Sequence, residues 1–182
     1  FQYDETGFEH QTPMPDVVGP ENLPSELEMI RQRAHLIPES MREKLLCAKP
    51  IEFRPVVGED PFNPKITDPI KYVWFRADGA LADSPALHKY LLAYASDFGL
   101  LTTSLLPHGK GVWQRDMQVA SLDHALWFHG ELRMDDWLLY AMDSPWAGNS
   151  RGFSRGSVYN RAGKLVASVT QEGLIRHRKD WA

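Results

Sequence analysis

The chain has 182 residues, with 20 Lys and Arg against 24 Asp and Glu, for a formal charge of −4. At roughly 150 residues per domain that is one domain with surplus, and 43% apolar with 11% aromatic residues is enough to fill a core. Mild acidity with scattered basic residues excludes a nucleic-acid footprint, and the lone Cys47 excludes a disulfide framework or Cys-based zinc site.

In chain order, the first feature is proline. Ten of thirteen prolines fall within residues 1–70, and proline interrupts helices and central strands, so this stretch is not a regular sheet domain. Residues 1–24 read as extended linker. Ser25 with Glu28 three residues on forms a capping box, which starts a short helix from Glu26 to about Leu36, stopped by Pro38. Glu39–Leu46 reads as a second short helix and Ile51–Arg54 as a brief strand, followed by a proline-rich loop to Pro69.

From Lys71 the texture changes. Tyr72–Ala77 is β-branched and aromatic and is followed by the turn pair Asp78-Gly79. Ser84-Pro85 opens a helix with Leu87, Leu91, Tyr94 and Phe98 at helical spacing, Tyr90 and Leu101 beside them. This predicts one helix buried over much of its circumference. Four strands follow, Gln118–Phe128, Trp137–Asp143, Gly152–Tyr159 and Lys164–Arg176, the last two joined by the turn Asn160–Gly163. A single apolar helix with such strands is covered only by an antiparallel sheet that curves around it, an α+β arrangement.

Several motifs carry chemistry on paper. Gly148-Asn-Ser150-Arg-Gly152 and Gly152-Phe-Ser154-Arg-Gly156 match the G-x-S-x-G nucleophile elbow, but the elbow needs a helix after it and the sequence here alternates as a strand. Glycines at a strand entrance or bulge explain both matches more simply. His124 and His129, five apart on one predicted strand, point to opposite faces, so a shared metal is not expected. Asp97 lies near the end of the long helix beside Phe98, Leu100 and Leu101. A carboxylate there is disfavoured by the helix dipole and would be desolvated by the apolar flank, as suits a general base. From pattern alone, an ordinary Asp exposed at a helix end is the favoured reading. Ser121, with Asp123 on the same side, and Gln171, amid Val166, Val169 and Leu174, are polar residues in strands. An inward amide at Gln171 needs a partner. Pattern alone does not bring Asp97, Ser121 and Gln171 together.

Seven ordered segments do more. Tyr94-Ala-Ser-Asp-Phe98, Leu106-Pro-His-Gly109, Ser121-Leu-Asp-His-Ala-Leu-Trp-Phe-His129 and Asp136-Trp-Leu-Leu-Tyr140, then Ser144-Pro-Trp-Ala-Gly148, Ser150-Arg-Gly152 and Gln171-Glu-Gly-Leu-Ile175, together resemble the acyl-CoA thioesterase II family. Phe1-Gln2 and Gln11-Thr-Pro-Met-Pro15 are similar to its linker. The resemblance implies two hotdog domains in the whole protein, each a curved antiparallel sheet around one helix. Residues 1–70 would be the inter-domain linker with short helices, 71–182 the C-terminal hotdog, and the N-terminal hotdog would lie outside this chain, which starts at Phe1.

The resemblance also implies a role for each of the three residues. Asp97, Ser121 and Gln171 would hold a catalytic water that hydrolyses an acyl-CoA thioester, without cofactor or metal. Leu100, Leu101 and Leu105 would line the acyl chain. Arg151 and Arg155 are candidate contacts for CoA phosphates, with plain surface solvation the favoured alternative. Expected partners are the acyl-CoA substrate, the N-terminal hotdog half and further copies in a homo-oligomer, with no nucleic acid and no membrane. The rival is a non-catalytic acyl-binding or assembly half. A hotdog dehydratase fits less well, since His88 lies at the wrong end of the helix. The lone cysteine and the terminal Arg178-Lys-Asp-Trp-Ala182, which lacks the peroxisomal tripeptide, point to the cytoplasm.

Overall fold

A computed structural model describes residues 5–57, 60 and 63–178; the Phe1-Gln2 pair and the last four residues of the C-terminal pentapeptide lie outside them. Helices α1 (Glu26–Gln32) and α2 (Glu39–Leu46) sit where the sequence predicts. The capping box closes in both directions, with Glu28 N–H on Ser25 Oγ and Ser25 N–H on Glu28 Oε2. The first helix is shorter than predicted, because a 3-10 turn takes over at Ala34–Leu36.

Among the described residues seven strands form one antiparallel sheet: β1 (Ile51–Pro55), β2 (Ile70–Ala77), β3 (Met117–Ser121), β4 (Ala125–Phe128), β5 (Leu138–Gly148), β6 (Arg151–Asn160) and β7 (Leu165–His177). Their order is β1-β2-β5-β6-β7, with β3 and β4 both paired to β7. The sheet packs against one main helix, α3 (Pro85–Ala95), followed after a turn by the short α4 (Leu100–Thr103). Side chains alternate along the strands: Val73, Phe75, Leu138, Tyr140 and Met142 face the helix and join Leu92, Ala95 and Leu100 in the main core. Trp74, Leu139 and Tyr159 face the other way, into a second cluster covered by Met14, Val17 and Leu23.

The proline-rich start of the chain is therefore pinned to the sheet's outer face. Trp74 Nε1–H donates to Val18 O at 2.8 Å, and the Gln11 amide bridges Gly163 O and Leu165 N–H. Cover on both faces makes β2 and β5 read as unbroken apolar runs rather than alternating ones.

Two strands depart from their predicted form. Gln118–Phe128 is not one strand but two. Ser121 pairs with Gly173 and Ala125 with Thr170, so Leu122–His124 stand opposite only Gln171 and Glu172. That is one residue too many, a bulge in which Leu122 and Asp123 N–H both point at Glu172 O. Conversely, β5 runs past Asp143 to Gly148 by shifting register around Ser144-Pro145, which is where a sheet tolerates a proline.

Beyond the helix start, Arg133 Nη2 meets Asp135 at 2.9 Å, and Leu81 N–H donates to the same carboxylate. These partners hold the Asp135 carboxyl at about 2, below its ordinary 3.8. A lowered folded-state value stabilises the fold above 3.8, and the contribution is lost as pH falls toward 2. Asp135→Asn should therefore lower the melting temperature near neutral pH, and the difference from wild type should vanish below about pH 2.

Candidate active site

Helix α3 starts on Ser84, whose Oγ accepts from Leu87 N–H, with Pro85 in its first turn. Its buried stripe is His88, Leu92 and Ala95, continued by Ser96. This is one step around from the predicted stripe: Tyr90, Tyr94 and Phe98 are 72%, 55% and 46% exposed. Small Ala95 and Ser96 let the helix end come close to the sheet, while Tyr94 and Phe98 turn toward β1, where Phe98 meets Phe53 at 5.6 Å.

Asp97 lies just past the helix end, in a turn that Gly99 completes at φ +96°. A side chain at Gly99 would be strained and would press on Met142 Sδ. The Tyr140 hydroxyl, deep in the core, donates to the carbonyl of Ser96 at 2.8 Å. Burial first, and the nearby Asp97 charge second, push the Tyr140 phenol well above its ordinary value, so it stays a neutral donor. Its ring lies against Gly156, where a Cβ would sit 2.2 Å from Tyr140 Cε2.

On this mount Asp97, Ser121 and Gln171 come together. Ser121 Oγ, at the end of β3, donates to Asp97 Oδ1 at 3.3 Å. Gln171 Nε2, from the buried face of β7, donates to the same oxygen. Asp97 Oδ2 has no hydrogen-bond partner among the described residues. The far end of the amide, Gln171 Oε1, is buried without a partner, as is Ser154 Oγ on the residue paired with it across β6.

Other expectations are settled by the surroundings of these residues. Asp97 is exposed, as the favoured reading of the pattern has it, and its neighbour Leu100 points into the core. Ser121 and Asp123 do not share a face, because the bulge sends Asp123 to the Glu172 backbone N–H at 2.7 Å. Leu100 is buried in the core, whereas Leu105, also buried, backs an open pocket walled by Met117, Arg151 and Ile175. An apolar cavity of about 330 Å³ lies on the other side of the helix end, bounded by Leu27, Ile30, Leu45, Phe53, Tyr94, Phe98 and Trp113.

The elbow motifs resolve as packing. Asn149 and Ser150 are the two left-handed residues of the β5–β6 hairpin, at φ 49° and 60°, so Ser150 joins strand to strand. Ser154 lies within β6, and Gly152 leaves space for Ser104, whose Oγ would be 2.3 Å from a Cβ there. His124 and His129 hydrogen-bond to Ser96 and Ser168 respectively. Arg155 pairs with Asp143 at 2.6 Å and Arg151 with Glu172 at 3.3 Å, each compensated at the surface. Tyr140 and Ser96 were visible in the sequence only as members of motifs. The signal for Tyr140 was its inward parity on β5 opposite a glycine-bearing strand.

Tyr140→Phe removes one buried donor and strands the Ser96 carbonyl, a loss of about 1–3 kcal/mol. Urea denaturation should show it.

The family model described as acyl-CoA thioesterase matches residues 40–174. The chain belongs to that family. Acyl-CoA thioesterase 2 of Haemophilus influenzae is 39% identical over 176 residues, covering 97% of this chain and 62% of that protein. Among solved structures, acyl-CoA thioesterase II TesB2 from Mycobacterium marinum superposes with a TM-score of 0.72 at 34% identity, over 99% of this chain and 62% of that one. A hot dog fold protein of unknown function from Alicyclobacillus acidocaldarius, at 16% identity and a TM-score of 0.66 over 96% of this chain and 58% of that one, supports the fold alone. This acyl-CoA thioesterase family chain has the hotdog fold, and it spans about three-fifths of the length of these relatives. Among the described residues no helix is long and apolar enough to cross a membrane.

Proposed function

We propose that this chain carries a catalytic centre that hydrolyses acyl-CoA thioesters by direct attack of water. Asp97 Oδ2 accepts a proton as the water oxygen bonds to the carbonyl carbon. The C–S bond then breaks, leaving a fatty acid and CoA, whose thiolate recovers the proton. The reaction balances without a cofactor. The observation that carries this reading is the convergence of Ser121 and Gln171 on one oxygen of Asp97, which fixes the carboxylate and leaves its other oxygen available. Ser121 and Gln171 also orient the water, a positioning contribution. The acyl chain is assigned to the cavity beside Phe98, whose size and apolar walls suit an alkyl chain.

A second reading is favoured by the exposure of Asp97, Tyr94 and Phe98: the centre works only when an N-terminal hotdog half covers this face. Residues 1–70 then act as the inter-domain linker, and copies associate further. The test is thiol release from a long-chain acyl-CoA by this chain, alone and with the remainder of the relatives' length supplied. Release in either arm supports thioesterase function, and the arm in which it appears separates the two readings. No release in either arm, or an acyl group trapped on a serine, overturns direct water attack.

A further inference from the structure

The side chains of Ser121, Asp123 and His124, in and beside the bulge, each make a hydrogen bond that ends on or beside a member of the Asp97 group. Ser121 reaches Asp97 itself. Asp123 takes the backbone N–H of Glu172, next to Gln171. His124 Nε2 lies 3.1 Å from the hydroxyl of Ser96, next to Asp97. In an unbroken strand Ser121 and His124 would point to opposite faces. The extra residue of the bulge lets both reach the same helix end.

We infer that His124 is a positioning residue for the reaction, acting through Ser96 to fix the Asp97 carboxylate relative to Ser121 and Gln171. This rests on Asp97 being the base. Ser96 is wholly buried and held at both ends, its carbonyl by Tyr140 and its hydroxyl by His124. The hydroxyl's single proton goes to Ala93 O at 3.1 Å, so the network assigns the His124 contact as Nε2–H donating to Ser96 Oγ. Asp97 itself is exposed and lies past the last helical turn. Its position therefore depends on its anchored neighbour, and displacements of about 1 Å at a reacting group cost on the order of 10²-fold in rate.

The experiment measures kcat and KM for thiol release in the form of the protein that shows it, for His124→Ala, His124→Gln, Ser96→Ala, the His124→Ala/Ser96→Ala double variant and Asp97→Asn. Melting temperatures are measured alongside. His124→Ala should lower kcat roughly 10- to 100-fold with KM unchanged. His124→Gln, whose amide N–H can still donate, should recover most of that loss. Ser96→Ala should match His124→Ala, and the double variant should be no slower than either, because both remove one link. If His124→Ala does not fold, Ser96→Ala and His124→Gln carry the same prediction. Wild-type kcat in His124→Ala or Ser96→Ala overturns the inference. So do multiplying losses in the double variant, or a fall that only tracks the melting temperature. Wild-type turnover in Asp97→Asn instead defeats the reading of the site, whatever His124 does.

Discussion

Asp97→Asn should lower turnover of a long-chain acyl-CoA by roughly 10²- to 10⁴-fold while leaving KM close to wild type. The amide keeps the size of the side chain, and its oxygen can still accept the donors from Ser121 and Gln171 that meet on Oδ1. What it lacks is a basic oxygen to take the proton of the attacking water. Because the side chain is exposed, the exchange leaves no buried group unpaired, and the melting temperature should hardly move. Initial rates of thiol release over a range of substrate concentrations, with a melting curve for each protein, separate these terms. Loss of activity together with stability would indicate a structural role for Asp97.

Gly156→Ala should be the most destabilising single-methyl change near the site. The added Cβ falls 2.2 Å from Cε2 and 2.9 Å from Cζ of Tyr140. The ring cannot swing aside, because its hydroxyl is bonded to Ser96 O and its other face packs near Phe75. Overpacking against so fixed a neighbour costs about 3 kcal/mol, a fall in melting temperature of roughly 6–12 °C for a chain of this length. Thermal unfolding checks it, and Gly173→Ala supplies the comparison. There the Cβ meets chiefly the end of the Leu101 side chain, which can rotate, so the loss should be smaller. Gly156→Ala protein that still folds at low temperature should also show a reduced kcat, since Tyr140 holds the residue beside Asp97.

The order of strand, helix and four strand regions could be read from residues 71–182 because each element carries its own punctuation: Pro85 at a helix start, Asn160–Gly163 at a hairpin. The bulge at Leu122–His124 could not. It arises from the pairing of two segments about fifty residues apart, and nothing in the sequence of either one counts the residues of the other. The helix stripe was misjudged for a related reason. Tyr94 and Phe98 are apolar by type but serve the cavity beside β1, while the buried places go to Ala95 and Ser96, whose small size lets the backbone approach Tyr140. The Asp97–Ser121–Gln171 set became legible only through ordered motifs that resemble a family, since three polar residues on separate elements have no common period. Tyr140 and His124 act on the backbone and hydroxyl of Ser96, a role that neither the parity of Tyr140 on its strand nor the spacing of His124 from His129 signals.

The central claim is that Asp97, Ser121 and Gln171 work as one unit on one water. Its most direct test is the kcat for thiol release from a long-chain acyl-CoA in Asp97→Asn and in the triple variant Asp97→Asn/Ser121→Ala/Gln171→Ala. Groups that act as a unit lose little more once the first is gone. The account predicts that the triple variant is no slower than Asp97→Asn alone. Losses that multiply from one substitution to the next, or wild-type turnover in Asp97→Asn, would contradict it.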